Sequence, residues 1–248
     1  MSGPLYLIDL RPDPAGLIRF AKEQGLNHHE DEDLGYAAHA WLTAQFGAGA
    51  IKPFRLLQDR RNLKPPRLLA YTRQSGEALA EYAQTHASPL AFQVCPLHEP
   101  IAAKPMPEHW REGRRLGFEV LACPISRMGS SEDDVYRRHL RVCAESNQPL
   151  KTQAEVYRQW LMKQFGTACV LVDFTLEGYR NISLLRKAGG KGRHDFTAPQ
   201  ALFAGELVVA DSAAFSELLA RGIGRHRAFG YGMLLLRPIA SASGRELG

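Results

Sequence analysis

The stretch GIGRHRAFGYGMLLLRP, residues Gly222–Pro238, decides how this chain is interpreted. Two glycine pairs, each enclosing one apolar residue, flank the basic triplet Arg225–Arg227. The apolar run Met233–Leu236 that follows is typical of a short buried strand. Ahead of the glycines, Ser212–Arg221 has apolar residues at helical spacing. The sequence therefore predicts a helix, a basic glycine-rich loop and a final strand.

This glycine-rich loop suits a phosphate ligand, because glycines expose backbone N–H donors and arginines add positive charge. A dinucleotide fingerprint is excluded, since the glycine turn closes a helix instead of opening one and Arg227 occupies the position of the third glycine. A Walker loop is excluded because the chain has no Gly-Lys-Ser/Thr triplet. A glycine-rich hairpin without a ligand stays open as an alternative.

Composition places the chain among ordinary globular proteins, with 248 residues, 45% hydrophobic and 23% charged. It has no apolar run long enough to span a membrane, and its N-terminus lacks the features of a signal peptide, so we expect no membrane association and a cytoplasmic location. Four cysteines stand far apart without CxxC or CxxH spacing, which predicts neither a zinc site nor a disulfide framework. They are Cys95, Cys123, Cys143 and Cys169.

The net charge of +5 alone indicates only that an anionic partner is possible. The basic residues, however, form two clusters in addition to the glycine-rich loop. One contains Arg55, Arg60, Arg61, Lys64, Arg67 and Arg73, and the other contains Arg180, Arg186, Lys187, Lys191, Arg193 and His194. Two such clusters together with a basic glycine loop favour a polyanion as partner over a merely solvated surface.

The order of predicted elements is βαββαβ, twice. The first unit contains strand Leu5–Leu10, helices Pro14–Gly25 and Leu34–Phe46, strands Lys52–Leu57 and Arg67–Thr72, a helix from Ser75 to His86 and strand Leu90–Cys95. The second contains strand Phe118–Cys123, a helix capped by Thr152 and ending at Phe165, strands Cys169–Thr175 and Ala201–Val209, and the last helix and strand. We expect domains at 1–95 and 116–240, joined by a linker at 96–115.

Candidate catalytic residues lie on the predicted helix Leu34–Phe46. At 100° per residue, Tyr36 and His39 lie on one face of this helix, whereas Ala38 and Trp41 lie on another. A histidine off the apolar face, one turn from a tyrosine, can reach a ligand with both rings. The alternative is an ordinary surface histidine.

The chemistry available to this pair is RNA cleavage. RNA carries its own nucleophile, the 2′-OH, so scission needs only a group that takes a proton and one that gives a proton. His39 suits either role near neutral pH, and Tyr36 can orient the phosphate. No cluster of carboxylates typical of a metal nuclease is present, so we expect no metal and no cofactor. The expected products carry a 5′-OH and a 2′,3′-cyclic phosphate or a 3′-phosphate.

The glycine loop resembles the signature of the RAMP superfamily of CRISPR-associated RNA-binding proteins. With Tyr-x-x-His on the first major helix, the chain is similar to the CasE family, the endoribonuclease of type I-E Cascade systems. The resemblance implies an α+β fold of two tandem ferredoxin-like (RRM-like) domains and a catalytic role for Tyr36 and His39. The implied RNA-binding residues are Arg186, Lys187, Lys191, Arg193, Gly222, Gly224, Arg225, Arg227, Gly230 and Gly232.

The function implied by this resemblance is metal-independent cleavage of CRISPR precursor RNA at the repeat hairpin. The implied partners are that hairpin, to which the protein stays bound after cleavage, and the other Cascade subunits. The alternative is a non-catalytic RNA-binding RAMP subunit of a CRISPR effector complex, in which Tyr36 and His39 are incidental.

Overall fold

The computed structural model describes residues 3–26, 34–59, 64–129, 131–146, 148–187 and 193–239. Two four-stranded antiparallel sheets dominate this part of the chain, and each is accompanied by helices. A separate two-stranded hairpin is inserted in the second half.

The first sheet has the strand order β2-β3-β1-β4. Its elements are β1 Tyr6–Leu10, α1 Pro14–Glu23, α2 Leu34–Phe46, β2 Phe54–Asp59, β3 Lys64–Thr72, α3 Gly76–His86, α4 Pro89–Val94 and β4 Ala102–Pro105. The outer strand β4 pairs with β1 and places the last element of the unit beside the first. This is the βαββαβ arrangement of a ferredoxin-like domain, with α1 added before α2.

The predicted strand Leu90–Cys95 is wrong. These residues belong mainly to helix α4, which begins where the Ser88 side chain accepts a hydrogen bond from Ala91 N at 3.2 Å and Pro89 fills the first turn. A short apolar run has no clear periodicity, so the Ser-Pro cap was the more informative signal. The fourth strand instead lies within the predicted linker 96–115. We propose that the first domain extends to Pro105 and that the linker is 106–114.

The second sheet has the order β10-β5-β9-β8, which repeats the arrangement of the first. Its unit consists of β5 Arg115–Ala122, β6 Ile125–Met128, β7 Ser131–Asp134, α5 Val135–Ser146, α6 Gln153–Phe165, β8 Cys169–Lys187, β9 Arg193–Val209, α7 Ser212–Arg221 and β10 Leu234–Arg237. The predicted capping box is present: Thr152 accepts from Glu155 N, and the Glu155 carboxylate accepts from Thr152 N at 2.7 Å. The predicted α+β class with two ferredoxin-like units is confirmed.

Three features of the second unit go beyond the prediction. The hairpin β6–β7 and helix α5 occupy a stretch predicted as loop and polar segment. Strand β8 has 19 residues, nearly three times the predicted length, and β9 has 17, about twice the predicted length. Hairpin β6–β7 is rich in polar residues, so its sequence lacks the apolar alternation that marks a strand. Helix α5 begins where the Asp134 carboxylate accepts from Tyr136 N at 2.8 Å.

Helix α2 is fixed to helix α4 by buried hydrogen bonds. The Trp41 indole N–H donates to Gln45 Oε1 at 2.6 Å and to the Ala91 carbonyl at 3.1 Å. The Gln45 amide donates to the Cys95 carbonyl at 2.9 Å. Because these groups are buried, breaking one bond would leave an unpaired polar atom, and the orientation of α2 is therefore well determined.

Direct contacts join the two units. The Tyr71 hydroxyl on β3 donates to the Leu234 carbonyl on β10 at 3.0 Å. Glu119 on β5 pairs with Arg55 Nη2 on β2 at 3.7 Å and with Arg237 on β10. These contacts bring the loop before β10 to helix α2.

Candidate active site

Helix α2 turns its apolar face to the core and leaves the predicted pair accessible. Ala38 and Trp41 are fully buried, whereas Tyr36 and His39 are half-buried. The ring centroids of Tyr36 and His39 lie 6.5 Å apart. The helical faces predicted from the sequence are thus present, and both functional groups reach one surface.

The glycine-rich loop packs on this face of α2. It contains a 3₁₀ turn at Arg227–Phe229, and Phe229 stacks on Tyr36 with centroids 5.3 Å apart and planes at 27°. His226 contacts Phe229 edge-on at 5.8 Å. The tyrosine of the first domain therefore rests on the second domain, and the site is assembled from both halves of the chain.

The glycines of the loop are required by packing. A methyl group on Gly232 would lie 2.0 Å from the Ile223 carbonyl oxygen, while Ile223 N donates to the Gly232 carbonyl at 2.7 Å. Gly224 has φ +69°, and a methyl group there would lie 3.0 Å from the Trp160 ring. Protein atoms therefore fill the space beside these α-carbons. Direct RNA contact by Gly222, Gly224, Gly230 and Gly232 stays a prediction.

A row of positive charges runs from α2 into the glycine loop. Burial, and then the charge of Lys52, lowers the pKa of His39 below the ordinary value of 6.5. The pKa of Lys52 is in turn lowered by burial and by Arg227. Burial, Arg221 and Arg225 lower the pKa of Arg227. His39 is therefore mainly neutral at pH 7, as a proton acceptor must be, and the row favours an anionic ligand.

Lys52 was missed from the sequence. It stands in the connection between α2 and β2, where nothing local distinguishes it from a surface lysine. The one local feature near Lys52 is the neighbouring Pro53, which follows a glycine-rich turn and indicates a constrained backbone. Its proximity to His39 and Arg227 arises from tertiary packing.

Glu132 was also missed. From hairpin β6–β7 its carboxylate reaches Arg225 Nε at 2.6 Å and His226 Nε2 at 2.9 Å. This pairing anchors the inserted hairpin to the basic triplet. RNA contact by Arg225 stays a prediction, and the structure pairs its guanidinium group with Glu132.

The second basic cluster lies apart from this site. In the register of β8 and β9, Arg186 lies opposite His194 and Lys187 opposite Arg193, at the far end of the hairpin, while Lys191 lies outside the described residues. Part-way along the hairpin, Gln200 accepts from Arg180 Nε at 2.5 Å and donates to the Tyr231 hydroxyl at 2.8 Å. Six residues of strand separate Arg180 from Arg186, which is about 20 Å. The structure thus describes two basic regions, of which only the glycine loop adjoins His39.

The family model for CRISPR associated protein matches residues 5–238. The chain belongs to this family. The family expected from the glycine loop and the Tyr-x-x-His motif is therefore confirmed. Among proteins with curated functions, none matches the sequence closely enough to be counted as a relative.

Solved structures with the same fold support this assignment. CRISPR endoribonuclease Cse3 bound to 19 nt RNA has a TM-score of 0.64 at 22% identity, over 95% of this chain and all of that one. The Cas6e protein of Escherichia coli K-12 has a TM-score of 0.53 at 21% identity, over 94% and 100%. A chain of a CRISPR RNA-guided surveillance complex has a TM-score of 0.58 at 16% identity, over 94% and 100%. At these identities the matches establish the fold of the family member.

In the basic cluster at 55–73, the structure describes the pairing of three arginines, and the polyanion surface expected from the whole cluster stays a prediction. Arg55 pairs with Glu119 between the sheets, Arg67 Nη2 lies 2.6 Å from Asp9, and Arg73 Nη2 lies 2.6 Å from Glu217. Arg60 and Arg61 lie outside the described residues, as do His28-His29 and Glu30–Asp33. The arginines that the structure does describe in this cluster are neutralised by carboxylates.

Within the described ranges, no group of three or more His, Cys, Asp or Glu side chains is arranged to hold a metal ion. Of the helices in the same ranges, none is both long enough and apolar enough to cross a membrane. The four cysteines are buried as free thiols.

Proposed function

We propose that this protein is a metal-independent endoribonuclease that cleaves CRISPR precursor RNA at the repeat hairpin and remains bound to the product as a Cascade subunit. The observation that carries the proposal is the placement of a neutral, half-buried His39 beside Tyr36 and next to a row of cations. We propose a cytoplasmic location, as expected from the sequence.

The chemistry follows from the groups at the site. His39 takes the proton from the 2′-OH of the nucleotide before the cut, and the 2′ oxygen attacks the phosphorus. The bond from phosphorus to the 5′ oxygen breaks, and that oxygen takes a proton from water. The Tyr36 hydroxyl orients the phosphate by donating a hydrogen bond to it. The products are a 5′-OH and a 2′,3′-cyclic phosphate, and no metal enters any step.

The comparisons support the substrate and the assembly. The chain shares its family with CRISPR-associated proteins and its fold with a CRISPR endoribonuclease bound to RNA. It also shares its fold with a chain of a CRISPR RNA-guided surveillance complex. The basic cluster at the far end of hairpin β8–β9 suits the A-form stem of a repeat hairpin, which proteins recognise mainly through its backbone and shape.

The test is His39→Ala in a cleavage assay on the cognate repeat RNA. We expect the rate to fall about a hundredfold or more, because the imidazole moves protons only in the transition state, while affinity changes little. Cleavage by the unaltered protein should persist in excess EDTA and should be blocked by a 2′-deoxy nucleotide before the cut. His86→Ala, which removes an exposed histidine of α3, is the matched control and should cleave normally.

Three results would contradict the mechanism: full activity of His39→Ala, cleavage of the deoxy substrate, or a requirement for added metal. RNA binding without any cleavage by the unaltered protein would favour the alternative, a non-catalytic RNA-binding subunit of an effector complex.

A further inference from the structure

The backbone around Lys52 is held by the glycine loop. The adjacent Pro53 packs on Gly222, where a methyl group would lie 3.0 Å from the proline ring, and its carbonyl accepts from Tyr71 N at 3.0 Å. Phe54 packs on Gly230, where a methyl group would lie 3.1 Å from its ring. The packing of these two residues therefore fixes the backbone of Lys52 between helix α2 and the glycine loop.

Lys52 is an exposed cation of the row whose charge is compensated by no carboxylate of the described residues. Arg225 pairs with Glu132, and Arg227 Nη1 donates to the Arg221 carbonyl at 2.5 Å. For the part of the chain that the structure describes, Lys52 forms no ion pair with a carboxylate, and it is exposed to solvent. An RNA phosphate can reach its ammonium group without displacing an existing partner.

There is room for a nucleotide beside Lys52. A cavity of about 290 Å³ lies next to it and is lined also by Thr72 and Arg73. Arg73 is already paired with Glu217 at 2.6 Å, and the Thr72 hydroxyl donates to the Ala50 carbonyl at 2.7 Å. Of the two cations that line this cavity, Lys52 is thus the one without a carboxylate partner among the described residues.

We propose that Lys52 is a catalytic residue whose ammonium group binds a non-bridging oxygen of the scissile phosphate and stabilises the charge that develops there. This inference rests on the proposed function. As the bond from the 2′ oxygen to phosphorus forms and the bond to the 5′ oxygen breaks, negative charge grows on the non-bridging oxygens. Lys52 keeps its protons throughout, since His39 accepts the 2′ proton and water supplies the proton for the 5′ oxygen.

The electrostatic coupling agrees with this placement. Lys52 is near enough to His39 to help lower the pKa of that imidazole, and Arg227 has the same effect on Lys52. Like charges held close together repel, and a bound phosphate would relieve that repulsion. The other charged group near the loop side of the site, Glu132, is paired with Arg225 and His226.

The kinetic test compares Lys52→Gln with Lys52→Arg under single-turnover conditions at saturating protein. We expect Lys52→Gln to cleave about a hundredfold more slowly with RNA affinity nearly unchanged, because the interaction is strongest in the transition state. Lys52→Arg should retain a rate within about tenfold of the unaltered protein, since it keeps the charge. Lys104→Gln, which removes an exposed lysine of β4, is the matched control and should have no effect.

A second measurement does not depend on RNA or on activity. NMR titration of the His39 ring in Lys52→Gln should give a higher His39 pKa than in the unaltered protein, because a neighbouring positive charge has been removed. The titration in Lys104→Gln should match the unaltered protein. An unchanged His39 pKa in Lys52→Gln would show that the ammonium group does not lie near the imidazole, and it would overturn the proposed role.

The outcomes separate the two proposals. If the unaltered protein cleaves repeat RNA and Lys52→Gln cleaves as fast, the role of Lys52 is overturned and the proposed function stands. If Lys52→Arg is as slow as Lys52→Gln, charge stabilisation is overturned in favour of proton transfer. If the unaltered protein does not cleave, the proposed function fails, and the role of Lys52 fails with it.

Discussion

The chemistry of the site depends on a single residue, His39, whose surroundings suit a general base. Its burial against the second domain and the charge of Lys52 both disfavour the imidazolium form. Its neighbours are Tyr36 on the same helix and Lys52 before β2, and Tyr36 in turn stacks on Phe229 of the glycine loop. The packed environment, more than the histidine itself, makes the neutral form available near pH 7.

This environment predicts the pH dependence of cleavage. Because burial and the charge of Lys52 hold the His39 pKa below 6.5, the fraction of neutral imidazole rises with pH through that lower value, and the neutral form predominates at pH 7. Single-turnover rates measured from pH 5 to pH 8 should therefore increase along an acid limb with a midpoint below about 6.5 and then level off. A midpoint above 7 would mean that His39 must be protonated, or that another group limits the reaction.

At the scale of elements, the glycine loop packs against helix α2 and supports the side chains of the site. The side chains of Trp160, Pro53 and Phe54 pack against its glycines. This packing fixes the 3₁₀ turn, in which Phe229 stacks on Tyr36. The hairpin β8–β9 extends from the same region through Gln200 and Tyr231. One element thus packs against the proposed catalytic residues, and the other carries the cluster that we propose to contact RNA farther from them.

Substitution of Gly224, compared with a control glycine, separates the effect of a steric clash on stability from the effect of backbone strain. Gly224→Ala should destabilise the protein and slow cleavage, because the methyl group meets the Trp160 ring at 3.0 Å in addition to the positive φ. Gly113→Ala is the matched control: Gly113 has φ +76° and open space around it, so the added methyl group causes backbone strain without a steric clash. Urea unfolding should show a larger loss for Gly224→Ala, and equal losses would exclude the packing role.

The hairpin predicts a change in salt dependence. Replacing Arg186, Lys187, Lys191 and Arg193 with glutamine should weaken RNA binding and lower the slope of log affinity against log salt by about one unit per lost phosphate contact. The rate at saturating protein should change little, since this cluster lies about 20 Å along the strand from Arg180. Arg19→Gln with Lys22→Gln, two exposed changes on α1, is the control. An unchanged slope would remove the hairpin from the RNA interface.

At the scale of the whole molecule, the site exists only where the two ferredoxin-like units meet. His39 and Tyr36 come from the first unit, whereas Phe229 and Arg227 come from the second. Glu119 lies in the contact and neutralises arginines from both units, Arg55 and Arg237. Active-site geometry should therefore depend on residues that never touch RNA.

Glu119→Gln tests this dependence. The change leaves Arg55, whose side chain is only 13% exposed, without its counter-charge, so we expect a loss of roughly 3 kcal/mol in the free energy of unfolding and slower cleavage. Glu206→Gln breaks an exposed pair with Arg115 and should cost about 1 kcal/mol or less. Denaturant titration measures both values. Equal losses would show that the interdomain pair contributes no more than a surface pair.

The sequence by itself determined the features that local patterns encode. Helix α2 has the predicted limits Leu34–Phe46, helix α7 the predicted limits Ser212–Arg221, and α6 begins at the predicted Thr152 capping box. The order βαββαβ and the face shared by Tyr36 and His39 follow from the same periodicities. These signals are readable because each depends on residues within one or two turns of each other.

Only the tertiary structure decided which residues distant in sequence lie beside Tyr36, His39 and the glycine loop. Glu132 reaches Arg225 across more than ninety positions, and Lys52 reaches Arg227 across more than one hundred and seventy. The location of β4 was settled by pairing with β1, and Arg55, Arg67 and Arg73 were paired with acids from other segments. Such contacts depend on how the two sheets pack, and this packing has no signature in the residues that flank each position.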